Sequence, residues 1–419
     1  MKKKRRKVFA YSKANWADIK LDAISISANI TRLYNENADV MKLWDTFKTA
    51  IWQSVEKHVP SKTSKPNYHL PWLDRNLKRL LRQKQRLYNK AKITNDWSLY
   101  RAHQKCCKAS FKRAEQNYVN NIITDGIKNK SNKPFWTYIK SKKNDNMGTS
   151  PLKQNGDLIC DATRKAEILL NQFKSVFTPK TELGDSLPGC RKQTSRLPPL
   201  VITSDGVANL LNEINTSKAS GPDNLPNMYL KMCAQQLAPA LALIFTKSLT
   251  SGQLPEDWRN ANVVPIFKKG NVHLAENYRP VSLTSVISKL LEHIVCKHLL
   301  DHLDRNNVLT HLNHGFRKGF SCETQLMVTM DDLFKQYDNN IQSDIIILDF
   351  SKAFDTVPHN KLLYKLQTYG IDGNVLKWIT SFLTKRKMRV VVDGETSEYA
   401  SVESGVPQGT VLGPLLLHK

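Results

Sequence analysis

The stretch Asp344-Ile345-Ile346-Ile347-Leu348-Asp349-Phe350 decides the fold of this 419-residue sequence. Its four consecutive aliphatic residues, three of them β-branched, predict a central strand that is covered on both faces. A carboxylate at the end of such a strand has no packing reason to be there. Asp349 is therefore a candidate site residue, and the strand that carries it predicts a sheet.

Helices and turns surround this stretch on both sides. Apolar spacing predicts helices over about 204–214, 226–250, 284–303, 359–369 and 373–384. Val390-Val391-Val392 leads through Asp393-Gly394 into 399–402, which is typical of a β-hairpin. Strands and helices in this order indicate an α+β fold over the second half of the chain.

The amino-terminal third differs in charge from the rest. The whole chain carries 63 Lys and Arg against 37 Asp and Glu, a net charge of +26. Residues 1–150 contain 33 basic and 11 acidic side chains and so hold +22 of it, whereas 151–419 hold only +4. Such a surplus favours a polyanionic partner, and nucleic acid is the leading candidate.

A long basic segment runs from Trp72 to about Asp125, with helical apolar spacing and a break at Asn95 and Asp96. Tyr88, Trp97 and other aromatic residues alternate with its cations. Cations for phosphates and aromatic faces for unstacked bases together predict single-stranded nucleic-acid binding. An alternative stays open, in which the aromatic residues are core and the charges a solvated face. The candidate phosphate contacts are Arg75, Lys78, Arg79, Arg82, Lys84, Arg86, Lys105, Lys108, Lys112 and Arg113.

The chain begins with six consecutive cations, which cannot pack against one another. They predict a nuclear-import signal read by an import receptor, a nucleic-acid patch or a solvated tail, and we expect a nuclear or otherwise cytoplasmic protein. A membrane partner is disfavoured because no apolar run approaches the roughly 18 residues that span a bilayer. The six cations are Lys2, Lys3, Lys4, Arg5, Arg6 and Lys7.

Composition divides the chain into three parts. We expect a basic helical connector over 1–140, a linker with a short helix over 141–204, and a larger domain over 205–419. The boundaries follow two stretches, 141–157 and 179–204, that are rich in Lys, Asn, Ser, Pro and Gly and poor in periodic apolar positions.

Five motifs in the larger part resemble those of non-LTR (LINE-type) retrotransposon reverse transcriptases, of the jockey or CR1 type. Three resemble the finger motifs: Gly-Pro-Asp at 221–223, Asn-Tyr-Arg-Pro-Val-Ser at 277–282 and His-Gly-Phe-Arg-Lys-Gly at 314–319. The run 348–355 is similar to the first palm motif, and Gly-Val-Pro-Gln-Gly at 405–409 is similar to the template-contacting motif. Their occurrence in the family's order makes a chance match very improbable.

The resemblance implies the fingers and part of the palm of a right-hand polymerase, preceded by the basic helical segment. It also implies an RNA template, a DNA primer and deoxynucleoside triphosphates as partners, and two Mg²⁺ ions as cofactors. Asp349 would ligate the metals, with the backbone carbonyl of Phe350. The implied nucleotide-binding residues are Lys268, Lys269, Arg279, Phe354, Gln408 and Gly409, and Arg317 of the third finger motif would contact nucleic acid.

One departure from the family pattern is an absence. No Asp-Asp pair stands in a Tyr/Phe-Ala-Asp-Asp context, because Asp331-Asp332 is preceded by Met330. Asp355 is expected to hold a helix start rather than a metal. Because one carboxylate cannot hold two cations, we expect a chain truncated before its second palm motif and thumb, which binds nucleic acid without polymerising.

Two other classes of function compete with this expectation. The first is a non-catalytic RNA-binding protein built on a degenerate palm, although such a scaffold would not need Asp349, Phe354 or Gln408. The second is a structural zinc site, which the spacing of its candidate ligands does not favour. Those ligands are Cys296, His298, His302, His311, His314 and Cys322.

Overall fold

The computed structural model describes residues 7–63, 70–129, 132–142, 148–179 and 195–417. Their contacts form two compact units. Unit 1 contains the described residues of 1–8 and 62–147, and unit 2 contains those of 9–61 and 148–419. Basic residues 2–6 lie outside the described residues.

Helices predominate in both units. In chain order they are α1 (Trp16–Asn35), α2 (Val40–His58), α3 (Arg75–Thr94), α4 (Ser98–Lys128), α5 (Lys133–Lys142), α6 (Ala162–Lys174), α7 (Ser204–Asn212), α8 (Asn227–Met232), α9 (Ala234–Ser251), α10 (Glu256–Arg259), α11 (Val286–Arg305), α12 (Cys322–Asp338), α13 (Ala353–Thr356), α14 (His359–Thr368), α15 (Gly373–Leu383) and α16 (Leu412–Leu417). The strands are β1 (Lys7–Phe9), β2 (Ser61–Thr63), β3 (Leu152–Gln154), β4 (Asp157–Ile159), β5 (Asn260–Phe267), β6 (Tyr278–Leu283), β7 (Lys387–Val392), β8 (Glu395–Thr396) and β9 (Ala400–Ser401).

Unit 1 is built on the predicted basic helices. Asp74 begins α3 by accepting a hydrogen bond from the backbone N–H of Leu77 at 2.7 Å. Asn95 ends that helix in the left-handed conformation, with φ of 57°. Asn tolerates this conformation better than most residues, and the break expected at Asn95 is confirmed.

Unit 2 begins with α1 and α2, which pack against each other and against α9. Trp44 of α2 is fully buried, meets the ring of Trp258 edge-on at 5.2 Å and donates from Nε1 to Asp257 at 3.0 Å. The expected connector over 1–140 is therefore divided between the two units. Burial of apolar side chains assigns residues 9–61 to unit 2, whereas charge had grouped them with the basic helices.

The expected linker over 141–204 also contains ordered elements of unit 2. β3 and β4 form a hairpin through Asn155 and Gly156, both of which have positive φ. Helix α6 buries Leu169, Leu170 and Phe173 in the smaller of the two cores. The short helix expected in this segment is present, and it is a packed part of the domain.

A five-stranded sheet carries the second core. Its strand order is β6-β5-β7-β8, and β9 also pairs with β7. β5 runs antiparallel to β6 and parallel to β7. The hairpin predicted at Asp393-Gly394 is confirmed, because β8 returns along β7 and both turn residues have positive φ.

The predicted central strand at 344–350 is wrong for this structure. Residues 341–350 adopt neither helix nor strand, and no described strand pairs with them. Ile346 and Ile347 are 84% and 86% exposed. A run of aliphatic residues becomes a central strand only where two neighbouring strands and two covering layers receive it, and the described residues place none beside this segment.

The Gly-Pro-Asp turn fixes the junction between β6 and α11. Asp223 is buried and accepts a 2.5 Å hydrogen bond from the hydroxyl of Ser285, the residue that caps α11. Burial raises the pKa of Asp223 to about 6, from an ordinary value of 3.8. A Cβ on Gly221 would lie 2.5 Å from the backbone of Thr284, so only Gly allows this approach.

Candidate functional site

The loop at residues 405–409 joins three motifs that are distant in sequence. Val406 donates its backbone N–H to the carbonyl of Phe354 at 2.7 Å, and Gly405 donates to Val357 at 2.8 Å. On the other side, Ser282 of β6 donates to the carbonyl of Gln408 at 2.8 Å. The first palm motif and the second finger motif therefore hold this loop between them.

Glycine is required at two positions of the loop. Gly405 has φ of +84°, and a Cβ there would lie 2.5 Å from the carbonyl oxygen of Phe354. Gly409 has φ of +103°, and its Cβ would lie 2.8 Å from the carbonyl oxygen of Ser282. Any other residue would combine left-handed strain with a backbone clash. The resulting close approach is what brings Gln408 to the site.

The side chain of Gln408 is held by Asp355. Its amide Nε2 lies 3.3 Å from both carboxylate oxygens of Asp355 and donates to them. Burial raises the pKa of Asp355, while the hydrogen bond from Gln408 opposes that rise. Asp355 stands in the first turn of α13 as expected, but its carboxylate orients an amide. Sequence reasoning missed this role.

A narrow cavity of about 40 Å³ lies between α6, the sheet and the loop. Phe173, Phe177 and Phe354 supply its aromatic wall, and Asp355 and Gln408 supply polar groups. A cavity of this size holds a few water molecules and is far smaller than a nucleotide site. A nucleotide would have to lie on the open side of Phe354 and Gln408.

A buried carboxylate holds the residues that directly follow the loop at 405–409. Glu292 of α11 is fully buried and accepts hydrogen bonds from the backbone N–H groups of Val411 at 2.7 Å and Leu412 at 3.3 Å. Burial raises the pKa of Glu292, and the nearby guanidinium of Arg386 opposes this. Burial also lowers the pKa of Arg386 to about 10. The sequence carried no motif that pointed to either residue.

The predicted triphosphate-binding cations lie at one end of the β5–β6 hairpin. Arg279 is paired in register with Ile266, and the backbone N–H of Lys268 donates to the carbonyl of Asn277 at 2.9 Å. Lys268, Lys269 and Arg279 are all exposed. The hairpin thus presents three exposed cations, and one of them, Arg279, lies on β6, the strand that holds the Gln408 loop.

The predicted metal ligands are not gathered in the same way. Asp349 is exposed on the extended segment, and the side chain of Phe350 is 81% exposed. Among the described residues, no group of three or more His, Cys, Asp or Glu side chains is placed to hold a metal ion. Asp355 is instead bonded to Gln408, so the described carboxylates are not gathered into a two-metal site.

Arg317 has internal partners. Its guanidinium donates to the carbonyl of Thr310 at 2.8 Å and forms an ion pair with Asp304 at 3.0 Å. It also stacks on the ring of Phe320 at 4.9 Å. The neighbouring Phe316 meets Phe354 edge-on at 6.5 Å, so the third finger motif reaches the first palm motif.

The candidate zinc ligands do not converge. The imidazoles of His298, His302 and His314 bond to the carbonyl of Pro198, the carbonyl of Tyr369 and the hydroxyl of Thr324, respectively. Each side chain thus has a separate structural partner, at 2.8 Å in all three cases.

The predicted nucleic-acid contacts of unit 1 lie on α3 and α4. Helix α3 contains no acidic residue. Leu77 and Ala91 are buried, and the imidazole of His103 on α4 bonds to the carbonyl of Leu80 at 3.1 Å. These contacts join the two helices into a pair, and most of the predicted cations, including Arg79 and Lys105, are exposed on it.

Comparison with known proteins agrees with this geometry. Residues 266–419 match the family of reverse transcriptases, the RNA-dependent DNA polymerases. The chain is 29% identical over 351 residues to the RNA-directed DNA polymerase from mobile element jockey of Drosophila melanogaster, covering 80% of this chain and 38% of that protein. The Drosophila funebris jockey polymerase is 28% identical over 410 residues, 94% of this chain and 44% of that protein. The probable RNA-directed DNA polymerase from transposon BS of Drosophila melanogaster is 26% identical over 364 residues, 82% and 39% of the two chains.

Residues 266–419 therefore match the reverse transcriptases, the RNA-dependent DNA polymerases. The jockey and BS relatives support the narrower similarity to non-LTR, LINE-type retrotransposon reverse transcriptases that the motifs indicated. The chain spans less than half the length of the three relatives. Among the residues that the structure describes, no helix is both long and apolar enough to cross a bilayer.

Proposed function

We propose that this chain provides the fingers and part of the palm of a right-hand RNA-directed DNA polymerase, and that it binds an RNA template, a DNA primer and a deoxynucleoside triphosphate. The observation that carries the proposal is the loop at 405–409, held between Phe354 and Ser282 by backbone hydrogen bonds. Three motifs that are far apart in sequence meet there, and the β5–β6 hairpin that holds the loop also carries three exposed cations.

Each residue of this surface has a role set by its chemistry. The exposed Lys268, Lys269 and Arg279 would attract the triphosphate. The ring of Phe354 would lie under the sugar and exclude a 2′-hydroxyl by its bulk. Gln408 and Gly409 would let backbone and amide approach the base pair between template and incoming nucleotide.

Reverse transcriptases generally use Mg²⁺, which supplies charge stabilisation of the transferred phosphoryl group. In this chain Asp349 is the one motif carboxylate left to hold it, because Asp355 is bonded to Gln408. We therefore propose that the 419 residues by themselves bind substrates without extending a primer.

Primer extension on a poly(A) template with an oligo(dT) primer, in Mg²⁺ or Mn²⁺, tests this proposal. We expect no extension, together with measurable binding of template–primer and of deoxythymidine triphosphate. Template-dependent extension that disappears in Asp349→Ala would contradict the absence of turnover. Failure to bind any nucleotide would favour the second candidate, a non-catalytic RNA-binding protein, which the exposed cations of α3 and α4 also support.

We also propose that residues 2–7 direct the chain to the nucleus through an import receptor. The proposal rests on six consecutive cations at the amino terminus. Replacing Lys3 to Lys7 by Ala in a fluorescent fusion should abolish nuclear accumulation. Accumulation that survives the replacement would eliminate this role.

A further inference from the structure

Six aromatic residues of unit 1 pack on one another in two groups, whereas Trp136 of α5 is 57% exposed. Tyr88, Trp97 and Tyr100 form the first, with ring centroids 5.5–5.8 Å apart and planes inclined by 64–80°. In these edge-to-face contacts the edge of one ring covers the face of another. Ring faces that could stack on unpaired bases are therefore partly engaged within the protein, although Tyr88 is 39% exposed.

The second aromatic group joins the segment before α3 to α4 and α5. Trp72, Tyr118 and Tyr138 contact one another at 5.8–6.0 Å. The hydroxyl of Tyr138 donates to Glu115 at 2.9 Å. Both groups thus act as packing contacts between segments of unit 1, although Tyr88 is 39% exposed, and the interpretation of the aromatic residues as core stays a prediction.

The cations of the same helices form two rows. Along α3 the row advances by four, three, four and four residues, and along α4 by four, three and four, so each row follows one face at a step of about 5.5 Å. All nine members are exposed. We define them as the α3 row and the α4 row: Arg75, Arg79, Arg82, Arg86 and Lys90, and Arg101, Lys105, Lys108 and Lys112.

The rows face away from the residues that join α3 to α4. At 100° per residue, the buried Leu77 and Ala91 lie about 200° and 160° around α3 from Arg75, and Cys107 lies about 240° around α4 from Arg101. Like charges three or four residues apart destabilise a helix by about 0.2–0.5 kcal/mol per pair. No ion pair within 4 Å joins a row member to a carboxylate in the part of the chain that the structure describes. Helix stability therefore does not account for the rows.

We propose that the two basic rows bind the sugar–phosphate backbone of a nucleic-acid duplex, without stacking on its bases. This inference rests on the proposed nucleic-acid binding of the chain and specifies the form bound. The α3 row is a straight line of charge about 22 Å long, which suits a rigid duplex. Single-strand binders gain about 1–3 kcal/mol per stacked base, and the contacts within the two aromatic groups reduce that gain here.

Fluorescence anisotropy on the full chain tests the proposal, with a 20-base-pair RNA·DNA hybrid and the matching 20-nucleotide single strands as probes. The row variant carries Arg79→Gln, Arg82→Gln, Arg86→Gln and Lys90→Gln. The matched control removes four exposed cations of unit 2, with Lys13→Gln, Lys20→Gln, Lys42→Gln and Lys57→Gln. Both variants lower the net charge equally.

We expect the row variant to bind the hybrid at least about tenfold more weakly, and the control to bind it within about twofold of the original chain. The slope of log affinity against log salt should fall by about 0.9 for each phosphate that the row variant no longer neutralises. Equal losses of affinity in the two variants would show a response to net charge alone and overturn the proposal, while nucleic-acid binding by the chain would stand.

A third variant, Tyr88→Leu, separates backbone binding from base stacking. We expect its affinity for the hybrid and for the single strands to be unchanged, with the single strands bound more weakly than the hybrid. A single strand bound as tightly as the hybrid, with a loss in Tyr88→Leu, would overturn the duplex assignment. If the chain binds neither probe, both this inference and the proposed function are wrong.

Discussion

The side-chain amide of Gln408 donates to both carboxylate oxygens of Asp355, 3.3 Å from each. The carboxylate of Asp355 therefore orients the amide of Gln408. Backbone hydrogen bonds of Ser282 and Val406 separately position the Gln408 backbone. A residue of the first palm motif thus orients a residue of the template-contacting motif, 53 positions later.

We predict that Asp355→Ala weakens nucleotide binding. The amide of Gln408 loses its acceptor and becomes free to rotate, and we expect about a tenfold loss of affinity, which corresponds to about 1.4 kcal/mol. Asp355→Asn keeps an acceptor oxygen and should lie between the two. Equilibrium binding of deoxythymidine triphosphate to the chain with template–primer measures this. Equal affinity in all three proteins would contradict an orienting role.

The contact at Gly405 gives a stability prediction with an internal control. Gly405 and Gly319 both have φ of +84°, but a Cβ at Gly319 meets nothing within 4 Å. Both Ala variants therefore carry the same left-handed strain, and only Gly405→Ala adds a clash with Phe354. We expect Gly405→Ala to lower the free energy of unfolding by about 2 kcal/mol more than Gly319→Ala. Urea unfolding should resolve the difference, and equal losses would contradict the backbone contact.

Loss of the buried carboxylate of Glu292 should be costly. Glu292→Ala removes the acceptor for Val411 and Leu412 and leaves Arg386 buried without its counter-charge, for an expected loss of about 3 kcal/mol. Glu292→Gln keeps an acceptor and should lose about half as much. Ser288→Ala, which removes only a 3.3 Å contact to the same carboxylate, should lose about 1 kcal/mol or less. A thermal or urea unfolding series that ranks these variants otherwise would contradict the assignment.

The raised pKa of Asp223 predicts a pH dependence. Because its pKa is about 6 in the folded chain and 3.8 ordinarily, the folded state holds this proton more tightly. The resulting stabilisation is present below pH 4 and is lost as the pH rises through 6. Asp223→Asn cannot ionise, so its free energy of unfolding relative to the original chain should rise by about 2 kcal/mol between pH 4.5 and 7. A pH-independent difference would contradict the shift.

We expect the exposed segment at 341–350 to tolerate substitutions with little change in the free energy of unfolding. Ile347 is 86% exposed, whereas Ile379 of α15 is fully buried. We expect Ile347→Ala to change the free energy of unfolding by less than about 0.5 kcal/mol and Ile379→Ala to lower it by about 2–5 kcal/mol. Comparable losses at the two positions would show that the segment is a packed strand after all.

Ile347 and Ile379 also show which parts of the fold could be predicted from sequence patterns. Features that depend on neighbours along the chain were predictable, such as the break at Asn95 and the turn at Asp393-Gly394, because backbone preference and amphipathic spacing decide them locally. The strand at 344–350 was not, because a strand exists only with partners that its own residues cannot specify. The aliphatic run therefore indicated only a propensity for strand, and no described strand pairs with it.

The candidate site, like the fold, was predictable from the sequence only in part. The motifs identified Gln408, Gly409 and Phe354 through the resemblance, and the structure brings them together. The motifs did not identify Glu292, which lies on α11, more than a hundred residues before the loop. The helix at 162–174 did have a signal in the spacing of Ala166, Leu169, Leu170 and Phe173, and the hairpin before it had Asn155-Gly156. The helix was expected within 141–204, whereas the hairpin was missed because the surrounding composition is polar.

The contact between Trp44 and Asp257 joins residues 213 positions apart. A chain synthesised at about 5–20 residues per second would need roughly 10–40 s to complete that pair. During this interval the apolar faces of α1 and α2 have emerged while their partner α9 has not. Helices α1 and α2 therefore stay partly exposed until α9 has been made, which gives nascent-chain binding factors a defined window in which to act on them.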